Sequence, residues 1–248
     1  MTFSSADLSH QHSLQTLEEL YQFDDFMMSV RTLADMGCGK GNDIEWWATR
    51  TTRDEHKKLL NIKCTGVDTT EKLLVANEYP NISYQRQDFE DPFKRKFDVI
   101  WCHDAFQYAI NPLITLKNWN KALTSDGMLV IILPQQTVME FRRQAFDQPH
   151  GVYYNWTLIS LIHALAVNGF DCAGGFFKKE RDDPWLHAIV YKSEVKPMDP
   201  RTTTWYDLAE AGLLPSTLCS GVEKYAKARQ RDLILPWLGG SLISYSDY

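Results

Sequence analysis

Residues 34–43 read ADMGCGKGND, an acid followed by three glycines at alternate positions. The stretch comes after an apolar start from Val30 and before the helix-like run Ile44–Ala48. This order predicts a strand, a tight turn and a helix, because glycine lets the backbone turn sharply and approach a ligand closely. The amino terminus of the helix presents N–H groups that have no partner inside the helix. An acid beside them, Asp35, favours a ligand that carries positive charge.

Outward from this turn, strands and helices alternate along the chain. Strands are predicted over Thr32–Met36, Lys63–Asp68, Ile82–Arg86, Phe97–Cys102 and Met128–Leu133. Helices are predicted over residues 43–49, 71–78, 112–123, 137–146 and 155–167. In the third helix, Asn111 is the expected cap and Pro112 the first residue. Five alternating units predict a mostly parallel sheet in an α/β fold, with helices on both faces.

A last pair of strands completes the predicted sheet. Phe170–Lys178 and Trp185–Tyr191 are joined by a stretch that is too short for a crossover helix. They are therefore predicted to pair as an antiparallel hairpin.

Candidate ligand-binding residues lie where the predicted strands end. The glycine turn follows the first strand, Asp68 ends the second and Asp88 follows the third. His103 and Asp104 follow the fourth strand. In open α/β sheets the ligand crevice lies outside the carboxyl ends of the strands. We therefore expect these residues, which are far apart in sequence, to converge in space.

Composition narrows the classes of function. The 248 residues are 44% hydrophobic and 12% aromatic, enough for one large core with an appendage. The formal charge of −6 gives no global attraction to nucleic acid or anionic lipid. The acidic first 30 residues fit neither a secretory signal nor a transit peptide, and no apolar run is long enough to span a membrane. The five cysteines form no C-x-x-C pair and no metal-ligand spacing, which predicts reduced thiols in a cytoplasmic protein without structural metal.

Four landmarks in this order resemble the class I S-adenosylmethionine-dependent methyltransferases, over roughly residues 30–193. They are the acid and glycines of residues 35–41, the acids Asp68 and Asp88, and the fourth strand with the Asp126-Gly127 pair beyond it. The fourth-strand region is similar to the small-molecule methyltransferases and lacks the Asn/Asp-Pro-Pro-Tyr/Phe motif of enzymes that methylate DNA bases. The resemblance implies a Rossmann-like, seven-stranded, mostly parallel sheet whose terminal antiparallel hairpin matches the family's seventh-strand insertion.

The resemblance also implies S-adenosylmethionine as the cofactor and S-adenosylhomocysteine as the product. Asp35 is expected to face the ammonium of the methionine tail, and the glycine N–H groups its carboxylate. Asp68 is expected to accept hydrogen bonds from two ribose hydroxyls and Asp88 from the adenine amino group, while Phe89 packs on the adenine ring. The residues assigned to the cofactor are Asp35, Gly37, Cys38, Gly39, Gly41, Asp68, Thr69, Asp88, Phe89 and His103.

A nicotinamide dehydrogenase is the rival interpretation of a glycine turn after a strand. Its fingerprint is Gly-x-Gly-x-x-Gly, and the position of the third glycine holds Asn42 in this chain. Asp35 would also lie close to a pyrophosphate, an unfavourable contact between like charges. Both points disfavour this class.

His103 and Asp104 are the candidate catalytic residues. Methyl transfer requires mainly in-line positioning and exclusion of water, and a base only where the acceptor must lose a proton. His103 could take that proton, with Asp104 orienting the imidazole. The alternative is a histidine that caps a loop or lines the cofactor pocket.

His150, Tyr153 and Tyr154 lie between the fifth strand and the last long helix, where they would hang over the cleft. They are predicted to form an acceptor-binding lid, and the alternative is aromatic packing within a loop.

The chain is predicted to have three parts. Residues 1–30 form an N-terminal helical lid, residues 31–195 the methyltransferase domain and residues 196–248 a C-terminal helical extension. The apolar end of the extension, from Leu233, is expected to pack back on the domain or across the interface of a homo-oligomer.

Two functions remain open from the sequence. One is an S-adenosylmethionine-dependent methyltransferase that acts on oxygen, carbon or nitrogen of a small molecule. The other is a catalytically silent, methyltransferase-like binding module that works through a partner chain. Methylation of protein or RNA is disfavoured by the net acidity, although a local groove can be basic on an acidic protein.

Overall fold

The computed structural model describes residues 16–17, 30–53, 59–70, 79–134, 154–179, 185–219, 232–234 and 242–244. The helices predicted over 71–78 and 137–146, nearly all of the predicted lid, His150 and Tyr153 lie outside these residues.

The elements follow one another as strands and helices in chain order. They are β1 (Thr32–Met36), α1 (Asn42–Ala48), β2 (Thr51–Arg53), β3 (Leu59–Asn61), β4 (Lys63–Asp68), β5 (Ile82–Arg86), β6 (Phe97–His103), a 3₁₀ turn (Phe106–Tyr108), α2 (Pro112–Ala122), β7 (Leu123–Pro134), α3 (Leu158–Val167), β8 (Phe170–Lys179), β9 (Trp185–Lys192), α4 (Trp205–Glu210), β10 (Asp232–Ile234) and β11 (Leu242–Ser244).

Seven strands form one sheet in the order β5-β4-β1-β6-β7-β9-β8. The five strands from β5 to β7 in this order are parallel, and β9 runs antiparallel to both β7 and β8. This arrangement confirms the predicted sheet and its terminal antiparallel hairpin. The carboxyl ends of β1, β4, β5 and β6 lie at one edge, so the loops that follow these strands meet there.

Helices cover both faces of the sheet, as predicted. On one face α2 and α3 bury side chains such as Trp119 and Leu161. On the other face α1 buries Trp47 against Trp101 of β6, with ring centroids 6.0 Å apart. None of the helices in the described part of the chain is long and apolar enough to cross a membrane.

The fifth parallel strand begins earlier than the sequence predicts. β7 starts at Leu123, and its register with β6 shifts between Phe97 and Val99. Asp126 and Gly127, predicted as a turn before the strand, therefore lie within a bulged strand. The short strands β2 and β3 pair as a separate antiparallel sheet, which the sequence pattern does not predict.

Residues 196–219 pack into the same core as the domain before them. Leu208 and Leu213 are buried in the cluster that α2 and α3 form. The backbone N–H of Met198 donates to Val167 O at 2.8 Å. The core thus continues past the predicted boundary at residue 195. Further along, β10 and β11 pair antiparallel in a segment where the sequence predicts helix.

Candidate functional site

The glycine turn after β1 adopts the geometry that its sequence requires. Gly37, Gly39 and Gly41 have φ angles of 75°, 50° and 91°, a left-handed region that glycine enters without a steric penalty. The N–H groups of Gly37 and Cys38 both donate to Val67 O, at 2.8 and 3.2 Å. The turn is therefore fixed to the end of the neighbouring strand β4.

The three glycines face different surroundings. A Cβ on Gly37 would collide with the Ala105 methyl, and a Cβ on Gly41 would lie 2.7 Å from the Tyr84 hydroxyl. A Cβ on Gly39 would meet no atom within 4 Å. Gly37 and Gly41 thus permit close packing beneath the turn, whereas Gly39 leaves space open above it.

Asp35 is buried beside this turn, with 3% of its surface exposed. Its Oδ2 atom is buried and accepts no hydrogen bond. Burial raises the pKa of this carboxyl well above its usual range, and the nearby charges of Asp43 and Asp68 raise it further. Three acids therefore create a negative, incompletely satisfied site at the end of β1, which favours a cation.

Asp68 at the end of β4 faces the glycine turn. Its Oδ2 accepts the N–H of Gly39 at 3.0 Å. Its Oδ1 accepts the N–H and the hydroxyl of Thr70, at 2.9 and 3.0 Å. The threonine side chain that contacts the carboxylate is thus that of Thr70. The sequence assigned Thr69 instead, whose side chain is exposed and makes no hydrogen bond to Asp68 within the described part of the chain.

Asp88 and Phe89 follow β5 at the same edge of the sheet. Asp88 is exposed, and its Oδ1 accepts the N–H of Glu90 at 2.9 Å. The Phe89 ring lies 4.0 Å from the position that a Gly37 Cβ would take, and its centroid lies 5.9 Å from that of Trp119. The Phe89 ring thus lies next to the glycine turn, and Asp88 precedes it in the same loop.

Glu90 supports the candidate site, and the sequence analysis did not identify it. Its carboxylate accepts the N–H groups of Ile110 and Asn111, at 2.7 and 2.8 Å, and the Thr115 hydroxyl at 3.0 Å. Asn111 occupies the cap position of α2, but its own side chain makes no capping bond. Glu90 therefore caps α2 from a distance and joins the loop of Asp88 and Phe89 to that helix.

His103 at the end of β6 points to the face of the sheet that α1 covers. Its Nδ1 lies 4.0 Å from Asp43 Oδ2, and that oxygen also accepts the Trp101 indole N–H at 2.8 Å. The imidazole stacks on Trp101 at 6.3 Å and contacts Trp185 at 5.1 Å between ring centroids. Asp43, which was not assigned from the sequence, is therefore a carboxylate partner of His103.

Asp104, the residue predicted to orient His103, lies in the turn that follows β6. It has a φ of 52°, an uncommon conformation for a residue with a Cβ. Its N–H donates to Ile132 O at 3.0 Å, and its Oδ1 accepts from Gln107 Nε2 at 2.6 Å. These bonds shape the turn that presses Ala105 against Gly37.

Buried thiols surround the acidic site. Burial raises the pKa of the Cys38 thiol above its usual range, and the charges of Asp35 and Asp68 add to this effect. Burial, assisted by Asp35, raises the pKa of Cys64 to about 12. Both side chains therefore stay protonated at physiological pH. No group of three or more His, Cys, Asp or Glu side chains within the described ranges could hold a metal ion.

Tyr154 is the one described residue of the predicted acceptor lid. It is exposed, and its hydroxyl donates to Ile110 O at 3.1 Å. Its ring centroid lies 6.5 Å from that of Trp156. Tyr154 thus lies beside the loop between β6 and α2.

Comparison with known proteins agrees with the geometry of the site. A sequence profile described as a methyltransferase domain matches residues 34–131. Among curated proteins, none matches significantly.

Solved structures share the fold of this domain. Magnesium protoporphyrin IX methyltransferase from Synechocystis PCC 6803, with bound S-adenosylhomocysteine, has a TM-score of 0.55 and 15% identity, and the match covers 78% of this chain and 90% of that one. The plantazolicin methyltransferase BpumL, also with S-adenosylhomocysteine, has a TM-score of 0.55 and 18% identity over 75% and 84% of the two chains. A chain from the complex of the Haloferax volcanii Trm112 methyltransferase activator with a methyltransferase has a TM-score of 0.54 and 15% identity over 76% and 96%.

These matches confirm the resemblance to the class I S-adenosylmethionine-dependent methyltransferases and support S-adenosylmethionine as the cofactor of such a domain. The residues of this chain fit that molecule by two observations. The unpartnered Oδ2 of Asp35 suits an ammonium group, and the open side of Gly39 leaves room for a ligand above the turn.

Proposed function

We propose that this protein transfers the methyl group of S-adenosylmethionine to a small-molecule acceptor. The observation that carries the proposal is the buried, unpartnered Oδ2 of Asp35 at the glycine turn. A buried ionised carboxylate is unfavourable unless a cation or hydrogen-bond donors satisfy it. The cofactor carries an ammonium and a sulfonium against one carboxylate and has no phosphate, so its net positive charge complements the three acids.

The glycine turn and Asp35 together would hold the methionine tail. Asp35 faces the ammonium, and the N–H of Gly39 is the candidate donor to the carboxylate, because the Gly37 and Gly41 N–H groups donate to Val67 O and Cys38 O at 2.8 Å each. The Gly39 N–H already donates to Asp68, so it is shared between the protein and the ligand. Cys38 lines the turn with a protonated thiol, which adds no negative charge to the site.

Asp68 is the proposed ribose ligand. A carboxylate has about four lone-pair sites, and three of them accept protein donors here. Two ribose hydroxyls can bind only if one of these donors moves, and the Thr70 hydroxyl can do so by rotating about χ1. Thr69 would then take part through its backbone, since its side chain lies exposed.

Asp88 and Phe89 are proposed to bind the adenine. The exposed carboxylate of Asp88 has accepting capacity left for the amino group, and the Phe89 ring offers an apolar face. Glu90 positions both residues because it fastens their loop to α2 through three hydrogen bonds.

His103 is the proposed base for acceptors that must lose a proton. When bound, the cofactor supplies an electrophilic methyl group: a lone pair of the acceptor forms a bond to its carbon as the carbon–sulfur bond breaks, and that electron pair stays on sulfur. His103 is held between Trp101 and Trp185, and Asp43 Oδ2 lies 4.0 Å from its Nδ1. Asp104 and Tyr154, with His150 and Tyr153, are proposed to border the acceptor.

Titration calorimetry with S-adenosylmethionine and S-adenosylhomocysteine tests the cofactor proposal. Asp68→Ala should abolish binding, because it removes the ribose acceptor and the anchor of the Gly39 N–H. Asp126→Ala is the matched control, since Asp126 is an exposed acid of β7 far from the turn. Unchanged affinity of Asp68→Ala, or no binding to folded wild-type protein, would contradict the proposal.

A second candidate function is a catalytically silent binding module that works through a partner chain. The similarity to a chain solved with the Trm112 methyltransferase activator favours its dependence on a partner chain. A methyl-donor turnover assay on a panel of metabolites separates the two functions. Cofactor binding without turnover of any metabolite favours the silent module, whereas turnover by the chain alone favours the enzyme.

A further inference from the structure

A pocket of about 510 Å³ lies between the amino-terminal ends of α2 and α3. Its walls include Leu113, Ile114, Tyr154, Trp156 and Ala164. Pockets for small organic ligands typically measure roughly 300–1,000 Å³, so this one has the size for a single small molecule.

The lining of the pocket is uncharged. None of the described residues that line it is Asp, Glu, Lys or Arg. Burial lowers the pKa of the His163 imidazole, and its ring contacts Trp205 at 4.8 Å. The pocket therefore offers no charged side chain to pair with a carboxylate, a phosphate or an ammonium, and a charged ligand gains no ion pair there in return for its lost hydration.

The pocket nevertheless has an unused hydrogen-bond donor in its wall. Trp156 has 9% of its surface exposed, and its buried Nε1 has no hydrogen-bond partner. An unpaired buried donor is energetically unfavourable. A neutral ligand with an oxygen or nitrogen acceptor would relieve this deficit after a small adjustment of the indole, and the Tyr154 ring offers it a flat apolar surface.

Packed side chains connect the wall of the pocket to the glycine turn. The Trp156 ring contacts Phe106 at 5.3 Å, and the preceding residue, Ala105, packs against Gly37. Glu90 fixes the α2 wall from the loop that carries Asp88. Few residues therefore separate the pocket from the glycine turn.

We propose that this pocket binds the methyl acceptor and that the acceptor is an uncharged ring compound with a hydrogen-bond acceptor. This inference rests on the proposed methyl transfer and specifies its substrate class.

The test compares two fluorescent probes that differ by one carboxylate, 2-naphthol and 6-hydroxy-2-naphthoic acid. Each is titrated into protein saturated with S-adenosylhomocysteine. Wild-type protein should bind 2-naphthol more tightly by about tenfold or more, because the pocket cannot compensate a buried charge. Ile114→Arg should reverse this preference, since it places a cation in the pocket at a side chain that is 56% exposed and so tolerates substitution.

Two further variants complete the design. Ala164→Phe fills the pocket and should remove binding of both probes, and Phe176→Arg is the control, because Phe176 is an exposed apolar side chain of β8 outside the pocket. Equal affinity for the two probes in wild-type protein, or an unchanged preference in Ile114→Arg, overturns the proposal.

The role as acceptor site is tested by methyl transfer from labelled S-adenosylmethionine to neutral and carboxylated hydroxyaromatic compounds. Transfer should favour the neutral members and should fall by about tenfold or more in Ile114→Arg, with unchanged affinity for S-adenosylhomocysteine. Transfer to carboxylated but not to neutral members, by protein that binds 2-naphthol, overturns the acceptor assignment. Failure of the proposed function is distinct, because protein that binds S-adenosylhomocysteine would then transfer the methyl group to no member of either set.

Discussion

The Asp35 carboxylate lies at the end of β1 with one buried oxygen that accepts no hydrogen bond. Its pKa is raised by burial and by Asp43 and Asp68. When the pKa of an acid is higher in the folded than in the unfolded state, protonation of that acid stabilises the fold. This stabilisation is complete below the unfolded-state pKa and is lost as the pH rises through the folded-state pKa. Ionised Asp35 therefore destabilises the ligand-free protein, while the same charge attracts a cationic ligand.

Asp35→Asn should stabilise the ligand-free protein and weaken ligand binding. Above neutral pH we expect the free energy of unfolding to rise by about 1–3 kcal/mol, because the variant removes a buried, unsatisfied charge. The gain should shrink as the pH falls through the folded-state pKa of Asp35. Affinity for S-adenosylhomocysteine should fall by about tenfold or more through loss of the ammonium partner.

Urea unfolding over a pH series and calorimetry measure these effects. Asp98→Asn is the control, because Asp98 accepts hydrogen bonds from the Arg31 N–H and from the Thr32 N–H and hydroxyl at the opposite edge of the sheet. That variant should lose stability. An Asp35→Asn protein that is less stable than wild type and keeps its affinity would contradict the assignment.

The glycines of the turn allow a second residue-level prediction. Gly39→Ala should be destabilising by about 1–2 kcal/mol, from the left-handed backbone alone. Gly37→Ala should be destabilising by about 1–3 kcal/mol more, since its methyl would collide with Ala105. Gly212 has a φ of 70° and open space around it, so Gly212→Ala matches Gly39→Ala in strain.

Thermal unfolding and titration with S-adenosylhomocysteine separate these variants. Gly39→Ala should lose affinity, because its methyl enters the space above the turn, whereas Gly212→Ala should bind normally. Equal stability of the Gly37 and Gly39 variants, or equal affinity of the Gly39 and Gly212 variants, would refute the geometry proposed for the turn.

At the scale of elements, α2 depends on a cap from another part of the chain. Glu90→Ala should lower the free energy of unfolding by about 2 kcal/mol, because two backbone N–H groups and the Thr115 hydroxyl lose their acceptor. Amide exchange at Ile110 and Asn111 should accelerate. Glu194→Ala, at an exposed acid, is the control and should leave both measurements unchanged. Normal exchange at the two amides in Glu90→Ala would show that another group caps the helix.

Sequence patterns predicted the elements whose signals are local. β1, β4 and β5 have the predicted bounds, and the antiparallel pairing of β8 with β9 follows from a short connection. The three-residue strands β2 and β3 were missed because so short a segment shows no periodicity. The bulge in β7 was missed because Asp126-Gly127 has the composition of a turn.

The contacts of the candidate site also fall into some that the sequence predicted and some that it missed. The glycine turn, Asp35 and Asp68 were identified because strand ends and glycine spacing are local sequence patterns. The contacts of Glu90 with α2 and of Asp43 with His103 join residues that are distant in sequence or lie on different elements. Such partners depend on the packing of helices on the sheet, and a single sequence gives no local sign of them.

At the scale of the whole molecule, the proposed functional parts lie at one edge of the sheet. The glycine turn, the Asp88 loop and the amino terminus of α2 are connected through Ala105 and Glu90. The cofactor and the acceptor would therefore bind to surfaces that move together. The opposite edge contains Asp98 with its backbone donors and serves stability.

The C-terminal segment provides the last prediction. β10 and β11 pair Leu233 with Ile243 and Ile234 with Leu242. An isolated two-stranded sheet is at best marginally stable in water, so this strand pair is expected to need support from a further surface. Deletion of residues 233–248 should lower the melting temperature with an unchanged elution volume if that surface belongs to the same chain. It should instead shift the mass measured by size-exclusion chromatography with light scattering if the surface belongs to a second copy. A deletion protein with wild-type melting temperature and mass would show that the paired strands contribute to neither contact.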